Sequence, residues 1–270
     1  MKNLVLFDMD GTLTPPRQAL DYNLLAPLKV LTSYCDIGIV TGSDINYLRQ
    51  QLKQLLENSR IRYNLHLLPC NGTKHYAPPS YTHEQHKLIF EKDFLEEVGR
   101  KNFQRIMKVL IDYQNHISTH FEIPLTGHFI SYRNSMINWS PIGRNSKTED
   151  REKFINFDKG FSRGHFRSIV LEQLKEEFKN LNLKITCKLG GETSFDIYPT
   201  GWDKTFALSH FPNKNIWFLG DKCHEGGNDE EIYKALLPNN SFSVESPEET
   251  CQIIKNIIIP LFKKGDKDER

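Results

Sequence analysis

Apolar and polar positions follow two different rhythms along this chain of 270 residues. In the first third, short apolar runs alternate with helical spacing. Leu4-Val5-Leu6-Phe7 and Asp36-Ile37-Gly38-Ile39-Val40 read as strands buried on both faces, since a continuous apolar run suits a sheet covered twice. Ile45, Leu48, Leu52 and Leu55 then recur at helical intervals and predict a helix with one apolar face.

The middle of the chain changes rhythm. Phe103, Ile106, Met107, Leu110 and Ile111 mark one amphipathic helix, and Val170, Leu171, Leu174, Phe178 and Leu181 mark another. Short strands are predicted at 128–132, 136–139 and 183–189, the last alternating with period 2. The first rhythm returns at Asn215-Ile216-Trp217-Phe218-Leu219, and Phe242-Ser243-Val244 with a helix at 253–261 closes the core. Together the two rhythms predict an α/β protein, a doubly wound parallel-sheet (Rossmann-like) core with an inserted α+β cap domain. The expected bounds are 1–82 and 201–262 for the core and 83–200 for the cap. The charged tail at 263–270 is expected to be disordered.

Composition narrows the class. Lys and Arg nearly balance Asp and Glu, for a formal net charge of +1, so no global basic field points to nucleic acid. Apolar runs such as 253–261 are too short and interrupted to span a membrane. The chain enters its first strand at once, with no signal peptide in front of it, and a cytoplasmic protein is expected. The five cysteines are scattered without C-x-x-C spacing and are expected to be reduced and buried.

Candidate chemistry collects where the strands end. Asp8-Met9-Asp10-Gly11-Thr12 follows the first apolar run. Two carboxylates this close both stay ionised only beside a cation, so Asp8 suits a metal ligand and nucleophile and Asp10 a proton carrier. An acidic turn with solvated aspartates is the plainer alternative, and the spacing behind an apolar strand favours the functional one. Gly220-Asp221-Lys222 with Gly226-Gly227-Asn228-Asp229 is a second acidic loop at a strand end. There Asp221 would complete a hard-cation site suited to Mg2+, with Asp229 either supporting it or capping a helix. Thr41-Gly42-Ser43 before Asp44 offers hydroxyls and N–H groups for phosphate, or an ordinary N-cap. Lys204 could steady a transferring phosphoryl group, although an isolated lysine is usually solvated.

The expected cap carries its own polar groups. Arg133, Arg144 and Arg151 present forked donors matched to phosphate. Surface ion pairs with Glu149, Asp150 and Glu152 compete, most strongly for Arg151. Ser194 and Asp196, after Gly190-Gly191-Glu192-Thr193, could meet sugar hydroxyls or simply close a strand turn.

The run from Phe7 to Gln18 resembles the opening of eukaryotic-type phosphomannomutases of the haloacid-dehalogenase superfamily almost residue for residue. So do Phe129 to Arg144, Gly190-Gly191 with Ser194-Phe195-Asp196, Gly201-Trp202-Asp203-Lys204 and the Asp221 loop, all in the family's order. Departures include Cys223-His224-Glu225 in the metal loop and Glu192-Thr193 beside the sugar site. The resemblance implies interconversion of mannose 6-phosphate and mannose 1-phosphate for GDP-mannose synthesis, with Mg2+ and a sugar 1,6-bisphosphate activator. It implies Asp8 as the phosphorylated nucleophile and Asp10 as general acid and base. Asp8, the Asp10 carbonyl and Asp221 would hold Mg2+, and Arg17, Arg133, Arg144, Arg151, Ser194 and Asp196 would bind hexose phosphates. A homodimer through the cap is also implied. The rivals are a capped sugar-phosphate phosphatase and a non-catalytic sugar-phosphate-binding dimer. Retention of Asp8, Asp10, Lys204 and Asp221 argues against the second, because binding alone needs no nucleophile.

Overall fold

The computed structural model describes residues 2–268 apart from 16, 17, 21, 163, 237 and 239. In chain order the first segment gives β1 (Asn3–Phe7), α1 (Leu25–Leu31), β2 (Asp36–Val40), α2 (Ile45–Gln51), α3 (Lys53–Asn58), β3 (Leu65–Leu68), β4 (Lys74–Ala77) and β5 (Lys87–Glu91). The middle segment gives α4 (Phe94–Val98), α5 (Arg100–His120), β6 (Ile130–Tyr132), β7 (Ile137–Trp139), α6 (Thr148–Gly160), α7 (Phe166–Asn180), β8 (Ile185–Gly190) and β9 (Ser194–Pro199). The last gives β10 (Asn215–Gly220), α8 (Glu230–Ala235), β11 (Ser241–Ser243), α9 (Pro247–Ile253) and α10 (Ile259–Asp268), the last two joined by a π turn, Ile254–Ile258.

These elements form two units, Met1–Glu91 with Trp202–Arg270, and Lys92–Gly201. The first is a seven-stranded sheet in the order β11-β10-β1-β2-β3-β4-β5. It is parallel from β11 to β3 and antiparallel at β4 and β5. Side chains alternate across each strand, so Val5 and Phe7 join one buried cluster with Ile37, Ile39 and Leu65, whereas Leu4 and Leu6 join another with Val40, Leu68 and Phe218. Burial on both faces is what the unbroken apolar runs require. The chain leaves β1 toward β2 on one side and later returns to β10 on the other. The carboxyl ends of β1 and β10 therefore flank the switch point where open α/β sheets bind ligands.

The second unit is a four-stranded antiparallel sheet, β6-β7-β9-β8. Trp139 and Phe195 stack on it with ring centroids 4.9 Å apart, and Trp139 Nε1 donates to Gln114 Oε1 of α5 at 2.8 Å. Buried Asp158 of α6 accepts from Arg167 of α7 twice, from the backbone N at 2.7 Å and from Nε at 2.9 Å. Arg167 Nη1 reaches on to Gly191 O at 3.0 Å, which ties both helices to the β8–β9 turn.

Three expectations need correction. The unit boundary falls at 91/92 rather than 82/83, because residues 87–91 pair with β4 in the first sheet. The helix expected from Ile45 to Leu55 is two, interrupted at Leu52, whose φ of −104° and ψ of 17° leave the helical region. The tail, expected to lack structure, continues α10 as far as Asp268. Extending an existing helix anchored by buried Phe262 costs far less than nucleating one.

Candidate active site

Asp8 directly follows β1, and its N–H donates to Leu219 O of β10 at 2.9 Å. The chain then doubles back: Gly11 N donates to Thr14 O at 2.7 Å, and Leu13 N and Thr14 N both donate to Met9 O. Met9 and Leu13 are buried and anchor this turn in the core. Gly11 adopts φ +89°, and a side chain there would collide with the carboxylate of Asp221. A glycine is what lets the two acidic loops approach.

Lys204 begins a 3₁₀ turn, Lys204–His210, capped by Asp203. Its Nζ donates to Asp8 Oδ1, and also to Asp229 Oδ1 at 2.5 Å. The lysine and Asp229 are almost wholly shielded from solvent, at 1% and 0% exposure. Asp229 Oδ2 accepts from Lys222 N at 3.1 Å, and no side-chain bond caps α8. The capping alternative for Asp229 therefore gives way to an ion pair, one that local sequence could not reveal because its partner lies 25 residues earlier.

Carboxylate oxygens of Asp8, Asp221 and Asp229 lie within 4.8 Å of one another, the one such cluster of potential metal ligands among the described residues. Lys204 bonds two of these three carboxylates, Asp8 and Asp229. Burial pushes Asp8 up to about 8, with Asp229 and Asp221 adding to it against the pull of Lys204. Burial and Asp229 raise Asp221 as well. Burial alone would lower Lys204, but Asp229 and Asp8 outweigh it and raise it. Asp221 Oδ1 is buried with no hydrogen-bond partner. An all-oxygen donor set with excess negative charge and one orphaned acceptor fits Mg2+.

The Asp10 carboxylate is not part of that cluster. Its Oδ1 accepts from the hydroxyl of Tyr47 on α2 at 2.8 Å. Tyr47 was missed in the sequence, since nothing local ties it to Asp10, 37 residues earlier. Thr41, Gly42 and Ser43 form the link from β2 to α2. Ser43 N donates to Thr41 Oγ1 at 3.2 Å, and Asp44 caps the helix by accepting from Tyr47 N at 2.9 Å. A 3₁₀ turn, Cys70–Gly72, holds this link from below, with Cys70 N on Ser43 O at 2.9 Å and Asn71 N on Thr41 O at 2.8 Å. Asn71 Nδ2 also reaches Trp202 O at 3.2 Å, two residues before Lys204.

In the second unit, Asn138 of β7 and Asp196 of β9 are register partners. Asn138 Nδ2 donates to Asp196 Oδ1 at 2.7 Å and to Ser194 Oγ at 3.0 Å, and its Oδ1 accepts from Arg144 Nη1 at 2.7 Å. Arg144, Ser194 and Asp196 are thus one network centred on Asn138, a residue the sequence reading did not rank as functional. Arg151 is separate from it. Its guanidinium contacts Thr193 Oγ1 and Glu192 Oε2, both at 3.2 Å, so its carboxylate partner is Glu192 on the β8–β9 turn rather than Glu149, Asp150 or Glu152. Arg133 joins neither group; it lies on the β6–β7 turn with Nη1 4.0 Å from Met136 Sδ. Arg17 lies outside the described residues.

The fold resembles solved structures at low identity. An IMP-bound, N-terminally truncated Plasmodium falciparum IMP-nucleotidase superposes with a TM-score of 0.65 and 16% identity, over 95% of this chain and 68% of that one. A trehalose-6-phosphate phosphatase related protein gives 0.54 and 16%, over 97% and 100%. These likenesses speak to architecture alone. Sequence relatives are much nearer. The phosphomannomutase of Schizosaccharomyces pombe is 37% identical over 261 residues, 95% of this chain and 94% of the relative. Phosphomannomutase 1 of Dictyostelium discoideum is 37% identical over 265 residues, 97% of each. That of Saccharomyces cerevisiae is 36% identical over 260 residues, 95% of this chain and 94% of the relative. The family model of eukaryotic phosphomannomutase matches residues 24–260, and the chain belongs to that family.

Proposed function

We propose that this protein is a phosphomannomutase that interconverts mannose 6-phosphate and mannose 1-phosphate, supplying GDP-mannose synthesis. The observation that carries the reading is Asp8, buried at a strand end between the Lys204 ammonium and the orphaned carboxylate of Asp221. Asp8, Asp221 and the Asp10 carbonyl would hold Mg2+, which supplies charge neutralisation at the phosphoryl group and keeps Asp8 ionised. Asp8 attacks phosphorus, the bond from phosphorus to the sugar oxygen breaks, and Asp10 gives that oxygen a proton. In the other transfer a sugar hydroxyl attacks the aspartyl phosphate, the bond from phosphorus to Asp8 breaks and frees the carboxylate, and Asp10 takes the hydroxyl proton. A sugar 1,6-bisphosphate primes Asp8; in each turnover Asp8 first gives its phosphoryl group to the bound monophosphate, and the bisphosphate so formed turns and returns its other phosphoryl group to Asp8. Lys204 offsets the developing charge, and in a loose transition state such placement does most of the work.

Thr41, Gly42 and Ser43 are the phosphate-binding residues of this scheme. Arg144, with Ser194 and Asp196, and Arg151, with Arg17 and Arg133, bind hexose phosphate. Homodimerisation through the second unit fits the apolar groove lined by Ile111, Leu125, Phe129 and Ile130, in which Ile111 and Leu125 are more than half exposed. A cytoplasmic location is part of the same proposal; among the described residues no helix is long and apolar enough to cross a membrane.

Phosphorus NMR with Mg2+ and mannose 1-phosphate, with and without catalytic sugar 1,6-bisphosphate, tests the reading. Bisphosphate-dependent mannose 6-phosphate supports the mutase. Inorganic phosphate as the main product would make the protein a capped phosphatase instead.

A further inference from the structure

We propose that Glu192 is a built-in competitor for phosphate at Arg151 and so sets how tightly hexose phosphates are held; the proposal rests on the reading of Arg151 as a substrate ligand. Each terminal nitrogen of the Arg151 guanidinium already has a partner. Nη1 donates to Thr193 Oγ1 and Nη2 to Glu192 Oε2, both at 3.2 Å. The two partners differ in kind. Thr193 is buried, and its carbonyl accepts from Ser140 Oγ at 3.3 Å. The Glu192 side chain is 70% exposed, against 18% for that of Arg151. Thr193 therefore aims the guanidinium, and Glu192 occupies it on terms that an incoming anion can reverse.

The parts that carry the two side chains are tied together. Arg151 and Asp158 share α6, and buried Asp158 is paired with Arg167 of α7. Arg167 Nη1 donates in turn to Gly191 O at 3.0 Å and to Ser194 O at 3.4 Å, the residues that bracket Glu192 and Thr193. A buried ion pair thus fixes α6 to the β8–β9 turn, and this frame brings the carboxylate to the guanidinium.

Charge gives the contact its effect. Arginine suits forked binding of carboxylate and phosphate alike, so Glu192 presents the same chemistry as the group it competes with. A phosphate that takes both terminal nitrogens displaces the carboxylate. One that takes fewer shares the guanidinium with a like charge, which repels it. Either way part of the attraction for substrate is offset. The carboxylate also gives way readily, because an ion pair this open to solvent is weak. Glu192 thus loosens the hold on substrate without blocking the site.

The test is Glu192→Gln, which keeps the length of the side chain and removes its charge. KM and kcat for mannose 1-phosphate are measured with Mg2+ and sugar 1,6-bisphosphate in wild type, Glu192→Gln, Arg151→Ala and the double variant. Thermal melting establishes that each is folded. The expected result is a KM lowered about threefold in Glu192→Gln, the size of a surface ion pair, with a smaller change in kcat. Arg151→Ala raises KM, and on that background Glu192→Gln has no further effect. An unchanged or raised KM in Glu192→Gln, with KM still raised in Arg151→Ala, overturns the role of Glu192 and leaves Arg151 a substrate ligand. A fall in KM that persists without Arg151 makes Glu192 a general source of repulsion and equally overturns the competition. Wild-type KM in Arg151→Ala removes the reading of Arg151, and the proposal with it.

Discussion

Lys204 Nζ and Asp229 Oδ1 stand 2.5 Å apart with neither side chain in contact with solvent. Such a pair adds little to stability as a whole, yet breaking it by removing one member is costly, because the survivor is a buried uncompensated charge. Asp229→Ala leaves Lys204 to Asp8 alone. It is expected to lower unfolding free energy by about 3 kcal/mol and to reduce turnover by displacing the ammonium. Urea denaturation checks the first part; an unchanged midpoint would mean that the pair does not hold the loop.

The orphaned oxygen of Asp221 makes the cation measurable without any assay of activity. If Mg2+ binds the folded cluster and not the unfolded chain, as proposed, it is expected to raise the melting temperature by mass action. Asp221→Asn is expected to abolish that rise while remaining folded, since it removes one of several crowded negative charges. A Mg2+-induced shift of wild-type size in this variant would place the cation elsewhere.

Arg144 is exposed and contacts Asn138, so its worth to the free protein is small, as for other exposed charged groups. Arg144→Ala is expected to raise KM for hexose phosphate about tenfold, the size of a charge-assisted bond, with stability within about 1 kcal/mol. A normal KM with a lowered melting temperature would make the arginine a structural residue.

The protein is expected to be sensitive to mild acid for a reason remote from catalysis. Burial holds His66 and His86 down to about 4 and His75 down to about 3, from an ordinary value of 6.5. His66 Nδ1 and His75 Nε2 are 2.9 Å apart, and His75 packs against His210 at 4.7 Å between ring centroids. Above pH 6.5 these rings are neutral whether the chain is folded or not, and the full stability is present. As pH falls from there toward 4, the unfolded chain takes up protons that the folded one refuses. Stability is then lost at up to ~1.4 kcal/mol per pH unit for each histidine. Urea midpoints at pH 7, 6 and 5 should fall in that order, and His75→Gln should flatten the slope. A wild-type midpoint constant over this range would disprove the coupling.

The parallel strands of the first unit were largely legible in the sequence, for identifiable reasons. Asp8 and Asp221 follow strands buried on both faces, and such strands announce themselves as unbroken apolar runs. Helix α6 was not foreseen, since a run of charge at 149–153 reads as solvated surface until Phe154 is seen to be buried. Strands β4 and β5 escaped because they are short and their burial follows no period of 2. Partners fixed by tertiary structure left the weakest trace: Tyr47 lies 37 residues from Asp10 and Glu192 lies 41 from Arg151. Neither pair has a local pattern to give it away.

The register of β1 has a consequence for how the protein is made. Phe7 pairs with Leu219 across the middle of the sheet, so a nascent chain that already holds β1 lacks this neighbouring strand until residues 215–220 have been made. Until then one edge of an almost wholly apolar strand has no covering partner, and such edges template aggregation. Residues 92–201 emerge whole before β10 does. Docking of β10 then brings Asp221 beside Asp8, so the acidic cluster is assembled only when the sheet is closed.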